Sequence, residues 1–200
     1  MLTTEIHREL DSALDMLIDN EQIVAIFQNH SEWGPRALGN RSIMFDPRHP
    51  RAKEIVNLVK MREAYRPFAV TVMLEHAHEY FEMLQLPESP WMSFAIQCKP
   101  KALKDIPTLV HADNTCRIQT VTEEQNPNYY NLIKGFYERT GVPIIFNTSF
   151  NLGGESICET VYDAIDTCNR SMINHLYIPE DQEIEIPYEC IRDKTEYLPD

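Results

Sequence analysis

The chain has 200 residues, of which 43% are apolar, and this size suits one globular domain with a core of ordinary extent. Its formal net charge of −13 disfavours nonspecific binding to duplex DNA, because the phosphate backbone would meet like charge over most of the surface. The five cysteines form no C-x-x-C pair, and no apolar run approaches the roughly 18 residues of a membrane span, so we expect a cytoplasmic protein with reduced thiols.

Helical and extended patterns alternate in the first half of the chain. Apolar residues at helical spacing, from Ile6 to Leu17, predict an amphipathic helix, and the short apolar run after it predicts a buried strand. A loop rich in glycine, proline and arginine follows this strand directly, where α/β proteins commonly bind ligands. We predict helices over residues 4–19 and 51–62 and strands over 23–27 and 42–45, before an apolar run at 68–74.

The second half continues the same alternation. Gly141 stands where a left-handed residue would end a helix, and Thr160 with Asp163 resembles a capping box. We predict strands over residues 91–98, 115–121, 142–146 and 175–178, and helices over 128–140 and 160–169. Residues 181–200 form an acidic tail, which we expect to be solvated or loosely docked.

Positive charge is concentrated in one segment. Residues 30–66 contain eight Lys or Arg against four Asp or Glu, so they carry +4 while the rest of the chain sums to −17. Arg36 and Arg41 lie in its string E-W-G-P-R-A-L-G-N-R-S, where guanidinium groups and glycine N–H groups match phosphate oxygens. The segment indicates an anion site, although a solvated charged face explains the spacing alone equally well.

A second polar cluster follows a predicted strand. The sequence N-T-S-F-N, residues 147–151, comes directly after V-P-I-I-F and precedes a pair of glycines. Amides and hydroxyls at the C-terminal end of a strand supply donors and acceptors to a ligand, or they form a turn that satisfies its own backbone. Both interpretations remain open at this point.

Taken in order, the motifs resemble one family. The strings F-Q-N-H-S-E-W-G-P-R-A-L-G-N-R-S, V-K-M-R-E-A-Y-R-P-F-A, S-P-W-M, H-A-D-N-T-C-R-I-Q-T-V, G-V-P-I-I-F-N-T-S-F-N and G-G-E-S-I resemble the C-terminal domain of ATP-dependent O-carbamoyltransferases of the nodulation-factor and antibiotic-tailoring type. The resemblance runs from about residue 23 to residue 178. It implies a YrdC-like α/β fold, an open twisted mixed sheet flanked by helices around a concave nucleotide site.

The resemblance also implies a reaction and a set of site residues. Such domains consume carbamoyl phosphate and ATP, with Mg²⁺ accompanying the nucleotide, and form carbamoyl-adenylate and pyrophosphate. At matching motif positions it implies catalytic roles for Lys60, Arg66 and Ser149, and cofactor-binding roles for Arg36, Arg41, Arg62, Arg117, Asn147 and Asn151. We expect no metal bound by this chain itself. Fixed cations suit the negative charge that develops during adenylate formation.

Other conspicuous residues have ordinary interpretations. His76 and His78 are two apart on a probable helix and therefore point to different faces, which makes them poor joint metal ligands. For Trp33 and Trp91 we expect packing against the protein rather than stacking on an adenine. The cysteines are expected to be buried as small apolar residues.

The expected organisation has three parts. Residues 1–22 are predicted as an N-terminal helix left from an interdomain connection, 23–180 as the YrdC-like carbamoyltransferase C-terminal domain, and 181–200 as the tail. In the family an N-terminal domain holds the hydroxyl acceptor, so we expect such a domain as a separate chain or a missing part. The N-terminal helix docks either on that partner or on the chain's own core. We expect no binding to membranes or directly to duplex nucleic acid.

Two alternative functions stay open. One is a threonylcarbamoyl-adenylate synthase-like enzyme of tRNA modification, because the resemblance implies the same fold and similar basic and S-x-N elements for it. The other is a noncatalytic nucleotide-binding subunit that completes a partner.

Overall fold

A computed structural model describes residues 4–182, and these residues form an eight-stranded sheet with helices packed against it. The strands are β1 (Glu5–His7), β2 (Val24–Phe27), β3 (Arg41–Phe45), β4 (Ala69–Met73), β5 (Ala95–Gln97), β6 (Thr115–Val121), β7 (Ile144–Ser149) and β8 (His175–Tyr177). The helices are α1 (Leu10–Ile18), α2 (Ala52–Val59), α3 (Ala77–Tyr80), α4 (Pro100–Asp105), α5 (Pro127–Thr140) and α6 (Val161–Asn169), with 3₁₀ turns at Leu74–His76 and Pro107–Leu109.

The sheet is mixed and open. Its strand order is β1-β8-β2-β3-β7-β4-β6-β5, so β1 and β5 are the two edges. Three neighbouring pairs are parallel, namely β1 with β8, β2 with β8, and β4 with β6. The other four pairs are antiparallel. The predicted fold class, an open mixed α/β sheet flanked by helices, is confirmed.

The core lies along the central strands. Strands β2, β3 and β4 consist wholly of buried residues, as expected for strands covered on both faces. Helix α5 contacts β4 and β7, and α1 packs on α5. This helix pair approaches closely at Gly135, where an added Cβ would lie 2.6 Å from Cδ1 of Leu14. A larger side chain at that position would push α1 away from the sheet.

Several predicted boundaries are confirmed. Strand β6 spans the predicted residues, and Gly141 adopts the left-handed conformation, with φ 75°, at the end of α5. Thr160 and Asp163 form the predicted capping box, in which each side chain accepts from the backbone N–H of the other. These signals are local in sequence, and local hydrogen bonds decide them.

The N-terminal helix is shorter than predicted. Residues Glu5–His7 form strand β1, which pairs in parallel with β8, and α1 begins only at Leu10. The prediction of a helix from residue 4 was wrong because sheet hydrogen bonds outweigh the helical spacing of Ile6. Residues 1–22 therefore contain a strand as well as a helix, while their origin in an interdomain connection stays a prediction. The apolar face of α1 packs on the chain's own core.

Two predicted strands also have different ends. Strand β7 begins after Pro143 and continues through Ser149, because Ser149 pairs with Ser42 of β3. The N-T-S portion of N-T-S-F-N therefore lies in the sheet and not beyond it. Strand β5 is limited to three residues instead of the predicted eight.

Side-chain exposure corrects one expectation and supports another. Trp33 is 104% exposed and Trp91 is 68% exposed, so the expectation that both pack against the protein was wrong. The four cysteines in the described part of the chain are buried, as expected. None of the helices described is long and apolar enough to cross a bilayer. Beyond residue 182, the predicted acidic tail lies outside the described residues.

Candidate functional site

Helix α2 ends in a Schellman motif that fixes the positions of two cations. The N–H of Arg62 donates to the carbonyl of Asn57 at 3.1 Å, and the N–H of Met61 donates to that of Leu58 at 3.0 Å. Met61 takes the left-handed position, with φ 52°, which glycine more often occupies. The motif therefore places Lys60 and Arg62 on either side of one left-handed residue at the C-terminal end of the helix, where cations are favoured.

The Lys60 ammonium group is buried and holds the end of β7. Lys60 is 2% exposed, and its Nζ donates to the carbonyl and the hydroxyl of Ser149, at 2.5 and 3.1 Å, and to Oδ1 of Asn151 at 2.8 Å. The Ser149 hydroxyl in turn donates to Oδ1 of Asn151 at 2.7 Å. Burial and the neighbouring charge of Arg62 lower the pKa of Lys60 to about 7. Three predicted site residues thus form one hydrogen-bonded group.

A glycine turn supports the backbone of Lys60. The N–H of Gly153 donates to the Lys60 carbonyl at 2.8 Å, and a Cβ added at Gly153 would lie only 2.9 Å from that oxygen. Backbone atoms therefore occupy the space that any larger residue would need. The G-G pair thus holds the polar segment, residues 147–151, next to the end of α2.

Arg62 is held in place but keeps an unused donor. Its Nε donates to Oδ1 of Asn57 at 2.7 Å, and its guanidinium carbon lies 4.0 Å from the ring centroid of Phe68. Its Nη2 is buried without a hydrogen-bond partner among residues 4–182. Burial, Arg66 and Arg117 lower the pKa of Arg62 to about 10, so the guanidinium group is still charged at neutral pH.

Two further arginines extend this cationic group. Burial and the charge of Arg36 lower the pKa of Arg117, and Nε of Arg117 is buried without a hydrogen-bond partner in the part of the chain described. Arg66 forms an exposed ion pair with Glu63, with 2.9 Å between Nε and Oε2. Like charges gathered in this way repel one another, and an anion placed among them would relieve the repulsion.

A cavity of about 530 Å³ adjoins these groups. Its lining combines the end of α2, the segment after it and the glycine turn, and comprises Asn57, Leu58, Met61, Arg62, Glu63, Arg66, Gly153 and Gly154. The cavity thus brings two of the predicted cations to the same space as the backbone of the G-G pair. Its volume lies within the usual range for small-molecule sites.

The sheet adds a second row of polar groups. Arg117 of β6 pairs with Ala69 of β4, and Ala69 pairs with Asn147 of β7. Residues directly opposite on neighbouring strands share a face of the sheet, so Arg117 and Asn147 project on the same side. Two strand spacings separate them by roughly 9–10 Å.

Asn147 connects this row to the Gly/Pro/Arg loop. Its Nδ2 donates to Oγ1 of Thr71 at 3.0 Å, to Oε1 of Gln119 at 3.2 Å and to the carbonyl of Ala37 at 3.2 Å. Gln119 donates in turn to the carbonyl of Leu38 at 2.9 Å. The Oδ1 of Asn147 is buried and has no hydrogen-bond partner within residues 4–182, so a polar acceptor remains unused here.

Arg41 requires a different interpretation from the one its sequence position indicates. It is 2% exposed, and its two terminal nitrogens donate to the backbone carbonyl groups of Gln28, Asn29, Asn40 and Glu159. Its guanidinium carbon also lies 3.6 Å from the ring centroid of Phe27. These contacts commit Arg41 to joining the start of the loop to the segment before α6. They favour a structural role for Arg41, and its cofactor-binding role stays a prediction.

Glu32, which sequence reasoning did not single out, organises the same loop. Its Oε1 accepts from the backbone N–H groups of Leu38, Asn40 and Arg41 at 2.7, 2.8 and 3.3 Å. The N–H of Gly39, one of the glycine groups that we expected to face a ligand, donates instead to the Ser42 hydroxyl at 3.0 Å, and its neighbours in the loop are bound by the carboxylate of Glu32. Gly39, with φ 109°, lies against the ring of Tyr129, where a Cβ would come within 2.2 Å. The signal for Glu32 was an acidic residue inside a basic segment.

The structure therefore brings most of the predicted residues into connected groups. Lys60, Ser149 and Asn151 form a hydrogen-bonded group, and the charge of Arg62 links it to the other cations. Electrostatic interactions connect Arg62 with Arg66 and Arg117, and Arg117 with the exposed Arg36. Asn147 lies in the sheet row of Arg117. Arg41 is apart from this arrangement, in the loop packing.

An open mixed sheet with arginines and amides gathered at one place defines a YrdC-like α/β domain. Full-length HypF, solved in a phosphate- and nucleotide-bound form, has a TM-score of 0.61 at 19% identity, over 88% of this chain and 25% of HypF. Sua5 of P. abyssi, solved with L-threonine, has a TM-score of 0.56 at 12% identity, over 91% of this chain and 51% of Sua5. Likenesses at such low identity show the fold alone.

The chain belongs to the carbamoyltransferase C-terminus family, whose model matches residues 15–182. The nodulation protein NolO of Bradyrhizobium diazoefficiens is 43% identical over 161 residues, which cover 78% of this chain and 29% of NolO. The 3'-hydroxymethylcephem-O-carbamoyltransferase of Amycolatopsis lactamdurans is 31% identical over 176 residues, which cover 86% of this chain and 32% of that enzyme. The chain thus spans about a third or less of the length of these relatives.

Proposed function

We propose that this domain activates a carbamoyl group by forming carbamoyl-adenylate and pyrophosphate from ATP and the carbamate of carbamoyl phosphate. A hydroxyl acceptor then receives the carbamoyl group in an N-terminal-type domain that is a separate chain or a missing part. Family membership supports a carbamoyltransferase, and the cationic site supports the phosphate chemistry. We place the reaction in the cytoplasm, where ATP is available.

The observation that carries the proposal is the convergence of incompletely paired arginines beside an open cavity. Nη2 of Arg62 and Nε of Arg117 are buried, and neither finds a hydrogen-bond partner in the described residues. Unpaired buried donors on charged groups cost free energy that a polyanionic ligand would recover. A triphosphate or an acyl phosphate supplies oxygens that match this arrangement of guanidinium groups.

The chemistry has two balanced steps. Water first hydrolyses carbamoyl phosphate to carbamate and inorganic phosphate. An oxygen of the carbamate then bonds to the α-phosphorus of ATP, while the bond from that phosphorus to the pyrophosphate oxygen breaks. Carbamate is already anionic, so the second step needs no general base. It needs cations fixed where negative charge develops, and Arg62, Arg66 and Arg117 supply them.

The remaining predicted residues position these groups. Lys60 uses its ammonium group to order Ser149 and Asn151, whose polar atoms face the end of α2. Asn147 offers its free Oδ1 on the same sheet face as Arg117. Arg36 is exposed and adds its positive charge near Arg117. In this scheme Lys60 and Ser149 contribute to catalysis by shaping the site.

Magnesium enters with the nucleotide. The lining of the site is rich in cations, which repel a divalent cation, so it does not fit a magnesium ion held by the protein alone. The phosphate oxygens of ATP are suitable ligands, and Mg²⁺ bound to them neutralises part of their charge. The arginines of the site then neutralise the remaining charge of the phosphates.

In this proposal an N-terminal-type domain recognises the acceptor. The relatives are about three or more times longer than the matched domain, which leaves room for an N-terminal domain that binds the acceptor. The present chain supplies the activated carbamoyl group. Mixing it with a cognate N-terminal domain would therefore be required for transfer to a hydroxyl.

The test is pyrophosphate release. The purified chain is incubated with labelled carbamoyl phosphate and Mg-ATP, and pyrophosphate and labelled carbamoyl-adenylate are followed together. Release that depends on carbamoyl phosphate supports the proposal. Release that requires threonine and bicarbonate would instead identify a threonylcarbamoyl-adenylate synthase-like enzyme. Binding of ATP without turnover, under conditions that support an intact relative, would identify a noncatalytic subunit and sink the catalytic proposal.

A further inference from the structure

Three potential metal ligands meet at the edge of the sheet, at positions where no sequence motif predicts a metal site. Glu5 of β1 pairs directly with His175 of β8, and His7 lies two residues further along β1. Side chains two residues apart on a strand share a face, so the parallel pairing brings all three together. One ligand atom from each residue lies within 4.8 Å of the others.

The two imidazoles already face each other. Nε2 of His7 lies 3.0 Å from Nδ1 of His175, and the same Nδ1 lies 3.6 Å from Oε2 of Glu5. Two nitrogens bound to one tetrahedral Zn²⁺ at about 2.1 Å each stand roughly 3.4 Å apart. To admit the ion, the two nitrogens must therefore separate by a few tenths of an ångström and the rings must turn so that both lone pairs point at it.

A fourth side chain orients the first imidazole. Oγ of Ser12, near the start of α1, lies 2.6 Å from Nδ1 of His7. With the proton of His7 on Nδ1, that nitrogen donates to the hydroxyl and Nε2 presents its lone pair towards His175. Metal-binding histidines usually carry such a hydrogen bond on the nitrogen that faces away from the metal.

Burial and exposure are arranged as a metal site requires. His7 and His175 are 8% and 9% exposed, whereas the side chain of Glu5 is 65% exposed and provides an entry path. The carboxylate of Glu5 supplies the negative charge that offsets part of a divalent cation's charge.

We infer that Glu5, His7 and His175 form a binding site for a divalent transition metal ion, with Zn²⁺ as the best match. Two imidazole nitrogens and one carboxylate oxygen are borderline ligands that suit Zn²⁺ better than Mg²⁺ or Ca²⁺. Three protein ligands leave one tetrahedral position for water. This inference does not depend on the carbamoyl-adenylate proposal, because strands β8 and β2 separate β1 from β3 and the cationic site.

The site would clamp an edge strand to the sheet. Strand β1 has three residues and a single neighbour, β8, so few hydrogen bonds hold it. An ion shared by Glu5 and His7 on one strand and His175 on the next adds a cross-strand link. Metal binding should therefore raise the thermal midpoint of unfolding, and the midpoint should keep rising with the logarithm of the free metal concentration above the dissociation constant.

Titration of the full chain with Co²⁺ and Zn²⁺ after dialysis against a chelator tests the inference. We expect one equivalent of Co²⁺ with the visible absorption of a tetrahedral site, displaced by Zn²⁺, and a higher midpoint of unfolding. Ser12→Ala should weaken binding roughly 10- to 100-fold, as changes in a supporting hydrogen bond commonly do, and His175→Asn should weaken it further.

Glu5→Gln keeps the test independent of folding, because this side chain is mostly exposed. It should also weaken binding by more than the serine change. The matched control is His76→Gln combined with Glu79→Gln, which removes an exposed His/Glu pair and should leave affinity unchanged. Three results would overturn the inference. They are no metal binding by the wild type, wild-type affinity in both Glu5→Gln and His175→Asn, or a thiolate charge-transfer band that assigns the metal to cysteine.

Discussion

Lys60 donates a hydrogen bond of 2.8 Å from Nζ to Oδ1 of Asn151, a residue 91 positions further along the chain. The same ammonium group donates to the carbonyl and the hydroxyl of Ser149. A single cation at the end of α2 thereby fixes the polar segment at the end of β7. The proposed reaction depends on this link, because β7 also carries Asn147.

Replacing Lys60 with methionine should disconnect that segment. We expect pyrophosphate release to fall by about 10²-fold, because Ser149 and Asn151 lose the donor that positions them and a small misplacement at a reacting site costs about that much. Lys53→Met on the same helix is the matched control and should retain activity, since Lys53 lies outside the contacts described for the site. Full turnover by the Lys60 variant would refute the assignment.

The buried Lys60 should also make stability depend on pH. Its pKa falls from the ordinary 10.5 in the unfolded chain to about 7 in the folded protein. Between these values the unfolded state binds more protons, so the free energy of unfolding rises with pH from about 7 to about 10. The cost of burying the group is full below the folded pKa and vanishes above the unfolded pKa.

Urea unfolding at a series of pH values measures this dependence. The difference in free energy of unfolding between the wild type and Lys60→Met should shift in favour of the wild type as pH rises over that interval. Lys53→Met should show no such change relative to the wild type. A difference that stays constant from pH 7 to pH 10 would mean that the pKa of Lys60 is not lowered.

The sequence predicts most elements whose ends are decided locally. The capping box at Thr160 and the left-handed Gly141 depend on hydrogen bonds within a few residues, and both are found where predicted. The ends of β1 and β7 depend on β8 and β3, strands distant in sequence. Periodicity in Ile6 and its neighbours therefore could not distinguish the first turn of a helix from an edge strand.

The candidate site shows the same difference between features decided by local sequence and features decided by distant residues. The motifs identify Lys60, Arg62 and Arg117 as candidate cations, because Lys and Arg side chains are cationic in most surroundings, but they do not predict how far burial lowers the pKa of Lys60. The carbonyl contacts of Arg41 could not be predicted, since its partners come from three separate segments. The contacts of Glu32 with loop N–H groups depend on a backbone conformation that no residue pattern specifies.

Removal of the Glu32 carboxylate should loosen the Gly/Pro/Arg loop. Glu32→Ala leaves three N–H groups without their charged acceptor, and we expect a loss of about 1.5–3 kcal/mol in the free energy of unfolding. Amide hydrogen exchange should accelerate at Leu38 and Asn40, whose N–H groups Glu32 accepts. The exposed Glu124→Ala is the control and should change neither quantity. Unaltered exchange at both amides would contradict the role of Glu32.

Glycine at position 61 should stabilise the end of α2. The left-handed conformation of Met61 is strained for a residue with a side chain. Met61→Gly should therefore raise the free energy of unfolding by about 1 kcal/mol. Leu58→Gly within the same helix should have the opposite sign and lose about 1 kcal/mol, because glycine is a poor helix residue. Chemical denaturation distinguishes the two signs, and destabilisation by both changes would exclude strain at Met61.

Arg117→Met should separate binding from stability. Methionine removes a partly buried charge that lies near Arg36 and Arg62 and whose Nε has no partner within residues 4–182. We expect the free energy of unfolding to rise by about 1 kcal/mol or stay unchanged, since an apolar side chain replaces an unpaired cation. Affinity for pyrophosphate, measured by calorimetry, should fall at least about 10-fold because a charge-assisted contact is lost. Arg48→Met should behave in the opposite way: it removes the guanidinium partner of the buried Asp46 carboxylate, although the backbone N–H of residue 48 still donates to it, and so destabilises the fold while pyrophosphate affinity is retained. If Arg117→Met lost stability as Arg48→Met does and bound pyrophosphate normally, Arg117 would be a structural arginine and not part of an anion site.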